Sequence, residues 1–177
     1  MKTFKWYHLL IPFFGFLGFI LFVLPQESLE SAELGLVVSP DTSFFYTGEE
    51  LFEITESYGE EGRSIYIEKR FSFDVVWPLA YGFFLVVFIQ YGVEKGKLNR
   101  FRYAYLIPIG AVLLDYLENI MTSVVMYRYP LRTFLIGDLA GIMTSLKWIT
   151  LSFAFVFLVI LFIRLLIKSI HQRRINL

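Results

Sequence analysis

Cysteine is missing from this sequence altogether. That one absence excludes disulfides, thiolate nucleophiles and cysteine-based metal centres. Histidine is nearly missing: only His8 and His171 occur, both close to the chain ends, so a zinc site built on imidazoles is not expected, nor is any other metal. No Walker loop, dinucleotide fingerprint, nucleophile elbow or HExxH pattern is present. No cofactor is expected, and no internal repeat or low-complexity tract stands out. Charge is scarce as well. Charged residues make up 18% of the chain and hydrophobic ones 56%, where soluble domains carry about a quarter and about half. The net charge is zero, and nucleic acid is not an expected partner.

What the chain does have is large apolar side chains, 20 of them phenylalanine among 177 residues. A soluble domain of this length has too little interior for them, whereas a bundle facing lipid need not hide them. They gather into four runs, at 6–24, 74–93, 103–125 and 138–163. Each run holds ~20 residues, which at ~1.5 Å per residue matches a hydrocarbon layer of ~30 Å. The expected fold class is all-α: a polytopic membrane protein forming a four-transmembrane-helix bundle in a single domain. The first run follows Lys2 and Lys5 and stops at Pro25. A basic start and an apolar stretch suit a signal peptide, but Gln26-Glu27-Ser28 offers no small-residue cleavage site, so the run reads as an uncleaved span. Gly15 and Gly18 offer a neighbouring helix close approach. Pro78 falls near the start of the second run, where proline is best tolerated.

The 25–73 segment is the only long polar stretch. It holds eleven acidic residues against Arg63, Lys69 and Arg70. Thr47-Gly48-Glu49-Glu50 has the capping-box pattern. Leu51, Ile54 and Tyr58 then recur at helical spacing and Gly59 suits a stop; Ile65–Phe71 suits either helix or strand, and helix is favoured because it runs straight into the second span. A small helical cap is the expectation. Lysine and arginine in short loops set its side. Two such residues precede the first span, four lie in 95–102 and four in the C-terminal tail, against three in the 25–73 segment and two in 126–137. This count predicts a cell-membrane protein with cytoplasmic termini and an extracytoplasmic 25–73 segment.

The third run carries Asp115, Glu118 and Asn119 at i, i+3 and i+4, so they share one helix face, and Thr122 continues it. A charged side chain at mid-membrane costs ~2.5–3.5 kcal/mol on insertion scales, so such residues are expected to face the bundle interior and to have partners. Lys147 in the fourth run is the natural partner, provided that run begins near Asp138; if it begins near Thr144, Lys147 snorkels to the outer interface instead. Counting along the helices brings Tyr81 to a similar depth, so Tyr81, Asp115, Glu118, Asn119 and Lys147 are expected to converge in the outer half of the membrane. Such a cluster can fix helix register, do general acid–base work on a lipid, relay protons, or grip the polar head of an amphiphile. Asp74 and Asp138, each near a helix start, read as N-caps. Trp6, Trp77 and Trp148 read as interfacial belt or packing residues.

Gly62-Arg63-Ser64-Ile65-Tyr66, Asp74 to Pro78, Asp115-Tyr116-Leu117-Glu118-Asn119 and Thr144 to Lys147 together resemble a family of small, uncharacterised four-span bacterial membrane proteins, over about residues 44 to 150. More distantly, the architecture is similar to the four-span sterol-isomerase and sigma-2-receptor group. That similarity implies a helical segment between spans one and two and acids lining a membrane cavity for sterol-like ligands; no individual residue of that group is carried over. The leading functional expectation is a cavity that binds or modifies a lipid or other amphiphile, with enzymatic activity left open. The alternatives are a non-enzymatic protein with a structural polar cluster and a protein partner at its acidic segment, or a small proton-linked transporter. Expected partners are therefore membrane lipid, a lipid-like ligand and a protein at 25–73.

Overall fold

The computed structural model describes residues 5–36, 39–40 and 43–175. Among them there is helix and no strand. Four helical stretches are long and apolar enough to cross a membrane: Trp6–Glu33, Gly59–Gly96, Asn99–Arg128 and Phe134–Gln172.

The first stretch does not stop at Pro25. It begins with a 3-10 turn, continues as α1 (Leu10–Gly18), widens into a π-helical turn at Phe19–Val23 and runs on as α2 (Leu24–Glu33). Pro25 occupies the opening turn of α2, where the missing N–H and fixed φ of proline are tolerated. The widened turn just before it resets the hydrogen-bond register, so the proline does not end the helix. α1 packs along α5. Gly15 and Gly18 are not the contact, for a methyl group on either would meet nothing. Phe16 and Phe19 make the contact instead, Phe16 stacked on Trp77 and Phe19 tilted against it.

α3 (Gly48–Ser57) starts at the expected capping box. The Thr47 N–H donates to Glu50 Oε2 at 2.7 Å, and the Glu50 N–H donates to Thr47 Oγ1 at 3.2 Å. Gly59, at φ +64°, turns the chain, and α4 (Gly59–Phe71) follows at once. Ser72, at φ −117° and ψ −83°, marks the only break before α5 (Phe73–Gly96). Pro78 is therefore interior to α5 and not in its first turn. α6 spans Leu106–Arg128 and α7 spans Phe134–Ile175.

Two cores divide the molecule. Towards the basic end, α5, α6 and α7 bury Phe84, Leu85, Ile89, Ala111, Leu158 and Leu161, with Phe16 and Phe88 packed alongside. At the other end, α3 and α4 close over α6 and α7 through Tyr46, Leu51, Tyr66, Val125, Met126 and Ala140, with Ile54 and Tyr58 at the edge. The second core is sealed by glycines. A methyl group on Gly141 would collide with the Tyr46 carbonyl, and one on Gly48 with the Phe134 carbonyl; on Gly137 it would come within 2.6 Å of the Gly48 Cα. Backbone therefore lies directly on backbone where the cap meets α7. Asp138 strengthens the same joint. It sits one turn inside α7 rather than at its N-cap, and its Oδ1 accepts the Gly48 N–H at 2.6 Å. It caps α3, whose N-terminal dipole favours a carboxylate.

Candidate functional site

The acid pattern on α6 organises the site. Asp115, Glu118, Asn119 and Thr122 occupy one helix face, and all are buried. Tyr81 of α5 and Lys147 of α7 face them. Because α7 begins at Phe134, Lys147 lies more than three turns inside the helix and is 5% exposed, while Glu118 is 0% and Asp115 8%. The Lys147 Nζ pairs with Glu118 Oε2 at 2.5 Å and lies 3.6 Å from Asp115 Oδ1. The Tyr81 hydroxyl donates to Asp115 Oδ2 at 2.8 Å, and Asn119 Nδ2 donates to Asp115 Oδ1 at 3.4 Å. All five residues singled out from the sequence thus meet in one place. One ammonium serves two carboxylates here, so the neutral donors Tyr81 and Asn119 supply part of the stabilisation that a second cation would give.

The network reaches further than the spacing alone indicated. Arg70, at the end of α4, is 2.9 Å from Asp74 Oδ2 and donates to Asn119 Oδ1 at 3.4 Å, with its guanidinium 4.3 Å from the centre of the Tyr66 ring. Asp74 is therefore an ion-pair partner and not an N-cap. The break at Ser72 preserves the i, i+4 relation of Arg70 and Asp74 across the two helices. Lys69, next along, crosses to α2: its Nζ is 2.9 Å from Glu27, 3.3 Å from Glu30 and 3.2 Å from the Ser31 hydroxyl.

Beside this network lies a cleft of about 840 Å³ between the α1–α2 stretch, the α4–α5 junction and α7. Its polar end is formed by Glu27, Ser31, Lys69, Arg70 and Asp74. Tyr81, Asp115 and Lys147 stand at its middle. Phe16, Ile20, Trp77, Leu151 and Phe155 are among its apolar walls, to which Leu24, Leu36 and Phe73 also belong. Glu118 is not on the wall. The cluster accordingly has two parts: Asp115 and Lys147 face the cleft, and Glu118 holds Lys147 from behind. Trp77 packs among Phe16, Phe19 and Tyr81, Trp148 stands half-exposed on the cleft wall, and Trp6 is exposed. Among the described residues no group of acids and histidines is placed to hold a metal ion.

Lys69, Arg70, Glu27, Leu151 and Phe155 escaped the sequence reading. The Arg70–Asp74 spacing was a usable signal. Lys69 and Glu27 become neighbours only because the helix continues beyond Pro25 as α2, and Leu151 and Phe155 join the wall from α7, where Phe155 meets Phe16 of α1. Comparison with protein-family profiles, curated proteins and solved structures yields no match, so the functional reading rests on this geometry.

Proposed function

We propose that this chain is a multi-pass protein of the cell membrane, with cytoplasmic termini, that holds a lipid-like amphiphile in the cleft between α1–α2 and α7. The observation that carries the reading is the cleft's gradient. One continuous space runs from charged and hydroxyl groups, past Tyr81, Asp115 and Lys147, to an aromatic and aliphatic floor. A cavity of this size is within the range that encloses small ligands, and a few convergent polar groups on an apolar wall are the usual way to orient one.

Depth supports the same reading. The basic end is marked by Lys95, Arg102 and Arg164. Measured from there at ~1.5 Å per residue, Asp115 lies about 20 Å along the Asn99–Arg128 stretch, Tyr81 about 21 Å along α5 and Lys147 about 26 Å along α7. In a layer ~30 Å thick, the cluster stands in the outer half. The polar end of the cleft then reaches the headgroup region, and Phe16 and Phe155 stand among acyl chains. The packed inner core of Leu85, Ile89, Leu158 and Leu161 favours binding over a proton path between both faces. Asp115 and Lys147, if the ligand presents a reactive bond to them, are the groups able to exchange a proton with it. The Glu118–Lys147 pair, with Glu118 fully buried behind the wall, is read as structural.

An experimental map in lipid nanodiscs tests this. It should show elongated density from the level of Arg70 and Asp74 to Phe155. A cleft filled by side chains or holding only isolated waters would contradict the proposal. Orientation has its own test. A cysteine at Ser57 should react with an impermeant maleimide on intact cells, and reaction only after permeabilisation would reverse the topology.

A further inference from the structure

α2 forms one wall of the cleft through Leu24, Glu27, Ser28, Ser31 and Ala32, yet none of its residues is buried. Among the described residues no helix packs along it as α5 packs along α1. Three features locate what holds it. The π-helical turn Phe19–Val23 and Pro25 lie at its N-terminal end. Such a turn has a looser backbone ladder, and the proline removes one further amide donor. At its C-terminal end Leu36 is buried and rests on Gly62, 3.2 Å from where a methyl group would stand. Between the two ends, the described contacts that tie α2 to the body are those of Lys69 with Glu27, Glu30 and Ser31. A helix with no buried apolar face has little hydrophobic free energy of docking, so its position is set by these polar contacts.

Resting on the reading of the cleft as an amphiphile site, we infer that α2 is a gate for that site, latched by Lys69. The helix is tethered at both ends, through the π-turn to Phe16 and Phe19 packed on Trp77 and by Leu36 resting on Gly62. Opening is therefore a displacement of its middle away from α4, not a swing of a free end. Releasing Lys69 withdraws Glu27 and Ser31 from the polar end and widens the entrance between α2 and α7. Lys69 adjoins Arg70, so the latch sits one residue from the network that reaches Asn119 and Asp115. A bound polar head can then compete for the same donors that close the gate.

The cysteine-free chain makes the test direct. Spin labels at Ser28 and Ser57 report the distance between α2 and the cap in nanodiscs. A zwitterionic lysolipid with a diazirine midway along its chain reports entry, read as the initial rate of photolabelling of peptides containing Leu151 and Phe155. The gate predicts one narrow distance for the parent protein and for Lys69→Arg. It predicts a broadened or lengthened distance for Lys69→Gln and for the Glu27→Gln/Glu30→Gln pair, with labelling about tenfold faster, the effect expected from losing hydrogen bonds between charged groups. The paired variant leaves Lys69 in place, so agreement between the two excludes a general loss of folding. Labelling that occurs but is equally fast in every variant would overturn the gate and leave the binding site standing. An unchanged distance would do the same. Absence of cleft labelling in every variant would overturn the binding reading, and the gate with it.

Discussion

α2 and α3 are both ten-residue helices of the same acidic segment, and both are rich in glutamate. They are attached in opposite ways. α3 buries Gly48, Leu51 and Thr55, is capped by Thr47 at one point and by Asp138 at another, and lies backbone-to-backbone on α7. α2 buries nothing and is tied by the contacts of a lysine. The difference comes from where the apolar residues fall. Leu51 and Ile54, with Tyr58 just beyond, repeat at helical spacing and give α3 one apolar face, whereas Leu24 and Leu29 of α2 and Leu34 just beyond it fall on different sides, and Leu29 and Leu34 stay exposed. Composition did not separate a fixed cap from a loosely held wall; periodicity and glycine placement did.

Loss of Lys147 would remove the foundation under α3. Lys147 joins α6 to α7, the two helices that carry the cap. Lys147→Met leaves Glu118 and Asp115 buried without their cation and should cost about 3–5 kcal/mol. Thermal unfolding in detergent should show this, and amide exchange should accelerate in α3 more than in α2. Combining Lys147→Met with Glu118→Leu should cost less than the sum of the single changes, because the double change removes the uncompensated charge. Strict additivity would mean that the pair does not couple.

Gly141→Ala sharpens the comparison directly. Its methyl group has no room against the Tyr46 carbonyl, and overpacking of this kind costs about 1–3 kcal/mol. The change should detach the cap selectively, raising exchange across α3. Ser28→Ala on α2 should stay within about 0.5 kcal/mol, as exposed substitutions do. Equal effects at the two positions would erase the distinction between the helices.

These sites also show what the sequence made legible. The shared face of Asp115, Glu118 and Asn119 follows from helical spacing, and their need for a buried cation pointed to Lys147. The Thr47 capping box is local, so it could be read directly. Asp138 and Asp74 were misread because each lies near a helix start, while their partners, Gly48 and Arg70, were set by tertiary contacts and by the break at Ser72. Gly137 and Gly141 stand four residues apart, a spacing that signals close helix contact, and they are the true contact where Gly15 and Gly18 are not. The cleft was the least legible feature. It depends on a π-helical turn that leaves no residue signature and that carries α2 past a proline.

Smaller effects belong to the cap's own N-terminus. Thr47→Ala should cost about 1 kcal/mol, the usual loss of a helix cap. Hydrogen bonds from the Thr47 backbone N–H first, and then from its hydroxyl, hold the Glu50 carboxyl below the ordinary glutamate range, against a small opposing effect of burial. The contribution of this carboxylate is thus present above its unfolded-state pKa and lost as pH falls through the lower folded value. Acid titration of cap stability, followed by exchange in α3, should flatten in that window for Glu50→Gln; an unchanged slope would assign the dependence to other groups.

If the cleft beside Asp115 and Lys147 holds an amphiphile, native mass spectrometry of gently extracted protein will detect it. The parent chain should carry a bound lipid-like adduct of defined mass. Leu151→Trp, which narrows the cleft from α7 one turn beyond Lys147 and leaves every residue of the polar cluster in place, should lose that adduct while unfolding at a similar temperature. A parent protein with no adduct, or an adduct retained unchanged by Leu151→Trp, would contradict the account.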